Sequence, residues 1–125
     1  MNGNKIFLDT HIILYLLNGN QTIAEFLDGK QLFVSFITQL ELLGYHNITD
    51  RDKEKISSFL NDCTIIDINE GIKSQVIKIK TEHNMKLPDA IIAGTSVFYD
   101  LPLFSADRDL LTLKKINLVF YSTQQ

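Results

Sequence analysis

The sequence predicts an α/β fold: a three-layer sandwich whose central, mainly parallel sheet is flanked by helices. Three observations lead there. Short apolar runs of strand length alternate with longer stretches of helical periodicity. The runs are separated by turn-forming residues, as in Asn18-Gly19-Asn20 and Asp28-Gly29. Acidic residues follow or adjoin several apolar runs, at predicted carboxyl ends of strands or in the opening turns of helices.

Lys5 to Leu8 reads as a short buried strand. Thr10 is placed to cap a helix that reaches about Leu17 and is broken by Asn18-Gly19-Asn20. Gln21 to Leu27 reads as another short helix, closed by the turn at Asp28-Gly29. Leu32 to Phe36 is the second strand, and Thr38 to about His46 looks helical. Asp50 to Asn61 is a helix with Ile56, Phe59 and Leu60 on one face. Thr64 to Ile68, rich in β-branched residues, is the third strand. Gly71 to His83 is amphipathic, with Ile72, Val76 and Ile79 inward and Lys73, Lys78 and Lys80 outward. Asn84-Met85-Lys86 is a loop, after which Pro88 suits the first turn of a helix running to about Tyr99. Leu101 to Phe104 is the fourth strand, Asp107 to Leu113 a short helix, and Leu118 to Tyr121 the last strand. Periodicity does not set the strand order. No linker, repeat or low-complexity tract interrupts the chain, so residues 1–125 read as a single domain.

With 125 residues, 45% of them apolar, the chain can fill a core without a disulfide. Its single cysteine, Cys63, can form neither an internal disulfide nor a metal cluster, and reads as a small packing residue that fits a reducing cytoplasm. The run Ile12 to Leu17 is too short to span a bilayer and lacks the flanks of a signal peptide, so it reads as a buried first helix with no membrane role. Twelve basic and 15 acidic residues give a net charge of −3. That balance argues against a nucleic-acid partner unless several acids hold cations, which reverse the local field. The basic residues cluster as Arg51, Lys53 and Lys55, then Lys73, Lys78, Lys80 and Lys86, then Arg108, Lys114 and Lys115.

Four acids carry the candidate chemistry: Asp9 after Lys5-Ile6-Phe7-Leu8, Glu41 in Thr38-Gln39-Leu40-Glu41-Leu42-Leu43, Asp89 in Leu87-Pro88-Asp89-Ala90-Ile91-Ile92, and Asp107 after Leu103-Phe104-Ser105-Ala106. A carboxylate among apolar residues is costly to desolvate without compensation. Two unit charges about 4 Å apart repel by about 4 kcal/mol at an effective dielectric near 20. Four gathered carboxylates would thus rival the whole stability of a small domain, roughly 5–15 kcal/mol, unless protons or cations sit among them. Hard oxygen donors favour Mg²⁺ or Mn²⁺, whereas His11, His46 and His83 lack the close spacing of a zinc site. Such an ion binds phosphate oxygens and activates water, which is the chemistry of phosphodiester hydrolysis. Ser105 could orient that water or a phosphate oxygen, and Thr10 could do the same beside Asp9. Each acid also has a local explanation. Asp9 could be a plain N-cap, Glu41 and Asp89 first-turn acids favoured by the helix dipole, and Asp107 and Asp109 the start of the last helix.

At these residues the chain resembles the PIN domain family, and within it the small VapC-type toxin ribonucleases. The resemblance covers the whole length. Phe7-Leu8-Asp9-Thr10-His11-Ile12-Ile13-Leu14-Tyr15-Leu16-Leu17 is similar to the first acidic motif, and Glu41 matches the second acid. Leu87-Pro88-Asp89-Ala90-Ile91-Ile92-Ala93 is the most specific segment. Leu103-Phe104-Ser105-Ala106-Asp107-Arg108-Asp109-Leu110 is similar to the fourth, with Ser105 where the family has Thr or Ser. The resemblance implies a PIN-like sandwich and a Mg²⁺- or Mn²⁺-dependent endoribonuclease. Asp9, Glu41, Asp89 and Asp107 would be ligands, Thr10 and Asp109 supporting groups, Asp109 the alternative fourth ligand, and Arg108 an RNA contact. It also implies a homodimer, a cognate VapB-like antitoxin, and a structured RNA target such as transfer or ribosomal RNA. Leu110 departs from a frequent aromatic, and His11 from a frequent Asn or Ser; the histidine is either an RNA contact or a first-turn surface residue.

Two other classes remain open. One is a PIN-like module without turnover that binds RNA or antitoxin. The other is a Mg²⁺-dependent phosphoacceptor signalling domain. The latter wants an acidic pair near the first strand, an Asp ending the third strand and a lysine after the last. Asp9 has no adjacent acid, Asp67 lies inside the third predicted strand, and no lysine follows the final one.

Overall fold

A computed structural model describes residues 3–122. In chain order the elements are β1 (Lys5–Leu8), α1 (Thr10–Leu17), α2 (Gln21–Leu27), β2 (Gln31–Ser35), α3 (Phe36–Leu43), α4 (Asp50–Asn61), β3 (Thr64–Ile66), α5 (Glu70–Glu82), α6 (Leu87–Tyr99), β4 (Leu103–Ser105), a 3₁₀ turn (Arg108–Thr112) and β5 (Leu118–Phe120). The five strands form one sheet in the order β3-β2-β1-β4-β5, and every pairing is parallel. The predicted α/β sandwich with a parallel sheet is therefore the observed one.

Alternation along β1 divides the core. Ile6 and Leu8 face one layer, where Ile12 and Ile13 of α1, Ile23 and Leu27 of α2, Leu42 of α3, and Ile56 and Leu60 of α4 pack. Phe7 faces the other, against Ile72, Val76 and Ile79 of α5 and Ala90, Ile91 and Ala93 of α6. Both faces are covered, which is why the central strands read as continuous apolar runs.

Local signals account for where the elements differ from expectation. The cap of α1 is Asp9, whose Oδ1 accepts the Thr10 N–H at 2.7 Å; Thr10 is the first helical residue rather than the cap. Helix α3 starts at Phe36 because the Ser35 hydroxyl takes the Ile37 N–H at 3.2 Å, and it stops at Leu43 because Gly44 closes it. Thr38 is thus inside the helix. Strand β4 begins at Leu103, since Leu101 still donates to Ser96 O of α6 and Pro102 has no N–H to give. The third strand ends at Ile66, and the predicted last helix is the 3₁₀ turn.

Strand order places the site. From β1 the chain winds outward through β2 to β3, then α5 and α6 carry it back across to β4 on the other side of β1. The order reverses between β1 and β4. In a parallel sheet a crevice opens at that point, beyond the carboxyl ends of the strands.

Candidate functional site

Asp9 and Ser105 sit at the carboxyl ends of β1 and β4, neighbours across the switch point. The backbone draws them together: Asp9 N–H donates to Phe104 O at 3.1 Å. Asp9 is 6% exposed and Ser105 0%. The Ser105 hydroxyl donates to Asp9 Oδ2 at 2.5 Å and accepts the Asp107 N–H at 3.0 Å. Both oxygens of Asp9 are thereby held, Oδ1 by the α1 N-terminus and Oδ2 by Ser105. Ser105 was expected to orient water or phosphate. It is fully enclosed, and its proton is given to Asp9, so it reaches the cleft only through that carboxylate.

Asp107 caps the 3₁₀ turn, with Oδ1 accepting the Asp109 N–H at 3.0 Å. Half-buried, it lines a cleft of about 340 Å³ together with Asp9, His11, Tyr15, Asp89 and Ala106. Asp109 is exposed and outside that lining. Asp89 enters from the first turn of α6, which Pro88 opens without a side-chain cap. Glu41 was expected in the opening turn of its helix. With α3 starting at Phe36, it lies in the second turn instead, exposed, with Oε1 accepting the Thr10 hydroxyl at 3.1 Å. The dipole explanation of Glu41 falls with that shift.

The electrostatics show the convergence. Burial raises the Asp89 carboxyl above the ordinary Asp range, and the charges of Asp107, Asp9 and Glu41 push it further up; Lys86 opposes them weakly. Asp109 is not among the acting charges. Asp9, Asp89 and Asp107 thus line one cleft, while Glu41 lies outside its lining, beside Thr10, and is near enough for its charge to act on Asp89. The four do not close into a ligand cage: among the described residues no three His, Cys, Asp or Glu side chains are grouped tightly enough to hold an ion. Three of the four are instead held by donors of their own, Asp9 by Ser105 and Thr10, Glu41 by Thr10, and Asp107 by Asp109 N. Lys86 offsets them only in part, and among the described residues the one ion pair joins Lys73 and Glu70 on α5. An all-carboxylate donor set without an ion-pair partner among the described residues fits a hard divalent cation such as Mg²⁺ or Mn²⁺.

Arg108 is exposed, with its guanidinium 5.8 Å from the Phe120 ring centroid on β5, outside the cleft lining. Two neighbours of the acids escaped sequence reasoning. Tyr15 lies one helical turn after His11 on α1 and shares the cleft with it. Thr38, 0% exposed, places its hydroxyl 2.9 Å from that of Thr10. Helical spacing was the available signal for both: Tyr15 is four residues from His11 and Thr38 three before Glu41. Cys63 plays no part here; burial and the nearby Asp62 push its thiol up to about 11. Asp67, which a phosphoacceptor would need at the centre, is exposed beyond the edge strand β3.

The profile of the PIN domain matches residues 6–116. No curated protein sequence matches the chain. Among solved structures, the chain is similar to a toxin–antitoxin complex from Klebsiella pneumoniae, at 25% identity over 91% of this chain and 95% of that one, TM-score 0.79. It is similar to VapBC2 from Rickettsia felis bound to a DNA fragment from its promoter, at 17% identity over 94% and 99%, TM-score 0.85. It is also similar to DNA-bound VapBC from Salmonella typhimurium, at 19% identity over 93% and 97%, TM-score 0.83.

Proposed function

The chain belongs to the PIN domain family, and from that premise we propose that it is a Mg²⁺- or Mn²⁺-dependent endoribonuclease of the VapC type, the toxin of a toxin–antitoxin pair. The observation that carries this reading is the meeting of Asp9, Asp89 and Asp107 in one cleft at the sheet's switch point, with Glu41 near enough to act on Asp89. In the proposal these four carboxylates hold the ion, which when bound offsets phosphate charge and lowers the pKa of a water. Asp9 is fixed at the α1 N-terminus with both oxygens oriented, so it serves as the rigid member of the set. Asp89 and Asp107 are half-buried across the cleft and supply oxygens from α6 and the 3₁₀ turn. Glu41 supplies the fourth carboxylate from α3. Thr10 and Ser105 hold the acids in place, and Asp107 rather than Asp109 is the fourth ligand, because it is Asp107 that acts on Asp89. His11 and Tyr15 stand at the cleft to contact RNA, and Arg108 steers the backbone from outside it.

The partner assignments rest on likeness. Structural neighbours are solved as toxin–antitoxin complexes, two of them with DNA, which supports a VapB-like antitoxin for this chain. A homodimer is proposed on the family likeness alone. A single domain over residues 1–125, a cytoplasmic setting and a structured target such as transfer or ribosomal RNA complete the proposal. Among the described residues no helix is long and apolar enough to cross a membrane.

The test is cleavage of total RNA with Mg²⁺, Mn²⁺ or EDTA, read by mapping the new ends. Cutting requires the ion, and Asp9→Asn or Asp89→Asn abolishes it in a folded protein; full residual activity in either variant overturns the assignment. The spacing of the acids favours a second reading, a module that binds RNA or antitoxin without turnover. RNA binding with no cleavage under any ion would select it.

A further inference from the structure

We propose that Thr38 is a positioning residue that sets Glu41 relative to Asp9, acting through the hydroxyl of Thr10. The inference rests on the metal-dependent reading above and deepens it. Thr10 bridges two of the acids. Its backbone N–H holds Asp9 Oδ1 at 2.7 Å, and its hydroxyl lies 3.1 Å from Glu41 Oε1. That same hydroxyl lies 2.9 Å from the Thr38 hydroxyl. A threonine hydroxyl has one proton and two lone pairs, while an ionised carboxylate only accepts. The Thr10 proton therefore goes to Glu41, and the Thr10–Thr38 contact is made by the Thr38 proton. The result is a one-way chain from Thr38 to Thr10 to Glu41.

The enclosure of Thr38 makes the chain directional. Its side chain is 0% exposed, so no solvent competes for its proton. It sits in the first turn of α3, three residues before Glu41 and on the same helix face. Thr10 is the first residue of α1. Helix α1, which Asp9 caps, and helix α3, which carries Glu41, are thus joined at one hydroxyl, and the buried partner stops that hydroxyl from rotating away. Loss of a group that orients a ligand typically costs about 10–100-fold in metal affinity or activity.

The test measures Mn²⁺ affinity by calorimetry, with the metal-free unfolding temperature as a check on folding. Thr38→Val keeps the shape and removes the proton; about a tenfold loss of affinity is expected, as for other orienting partners. Thr38→Ser, which returns the hydroxyl, restores the affinity. In a Thr10→Val background, adding Thr38→Val changes affinity no further, because the path is already cut. Wild-type affinity in Thr38→Val overturns the inference, and so does an equal further loss in the Thr10→Val background. If Thr38→Val does not fold, Thr38→Ala makes the same comparison. Wild-type protein that binds Mn²⁺ and cuts RNA while Thr38→Val binds equally well removes this inference alone. Wild-type protein that neither binds nor cuts removes the nuclease reading, and this inference with it.

Discussion

Asp89 is the residue on which the other acids act, and its titration has a defined sign. Desolvation, then the charges of Asp107, Asp9 and Glu41, hold its carboxyl above the ordinary Asp range. A raised carboxyl binds its proton more tightly in the folded chain than in the unfolded one. Its contribution to stability is fully present below the ordinary Asp pKa and is lost as pH climbs through the raised one. In EDTA, Asp89→Asn should therefore unfold at a higher temperature than wild type at neutral pH, and the advantage should shrink as pH falls into the carboxylate range. Thermal melts of both proteins across that range check this, and coincident melting at neutral pH would contradict the crowding. The acids themselves were legible because carboxylates beside apolar runs stand out. Their partners were not, because a buried Thr or Ser reads as ordinary core or helix until its neighbour in space is known. Ser105 illustrates the difference: it was found beside Asp107, but its proton goes to Asp9, 96 positions away.

Helices and strands were read nearly in place wherever a strong local signal marked their ends. Asn20, Thr49 and Asn69 cap α2, α4 and α5 with their own side chains, and α2 and α4 start and stop as expected. Helix α3 was displaced because Phe36 looked like strand, with Leu32 to Phe36 reading as one apolar run, and that displacement put Glu41 in the wrong turn. Contacts between elements were beyond reach of local pattern, and α5 against α6 shows why. Gly94 lies inside α6 where a Cβ would come within 2.8 Å of Val76 Cγ2 and 3.2 Å of Val76 N. Helix propensity alone favours alanine over glycine by about 1 kcal/mol. Here the neighbour includes backbone, so α5 must give way, and overpacking of this kind costs typically 1–3 kcal/mol. Gly94→Ala should thus lower stability to denaturant by about 1 kcal/mol net, measured from the urea midpoint at unchanged slope. A stabilised variant would mean that the two helices separate without cost.

For the molecule as a whole, parallel order and chain reversal bring Asp9, Asp89 and Asp107, distant in sequence, to one cleft. Composition could not show this: a net charge of −3 is unremarkable, and only the order β3-β2-β1-β4-β5 puts the ends of β1 and β4 side by side. On the proposed metal-dependent reading, these acids make folding and ion binding oppose and then support each other. Without the ion, each charge added to the cleft weakens the fold. With it, the folded chain gains a ligand that the unfolded chain lacks, and at about a hundred times Kd that gain is about 2.7 kcal/mol. For a chain of 125 residues this corresponds to a rise in melting temperature of roughly 10 °C. Asn at position 89 should reverse both effects at once. Asp89→Asn raises the melting temperature in EDTA and abolishes most of the further rise on adding Mn²⁺, whereas Gly94→Ala starts lower and keeps the full rise. Scanning calorimetry of the three proteins with and without Mn²⁺ separates the cases. A wild-type melt that Mn²⁺ does not move, at concentrations that support RNA cleavage, would show that the four carboxylates do not hold the ion in the folded chain.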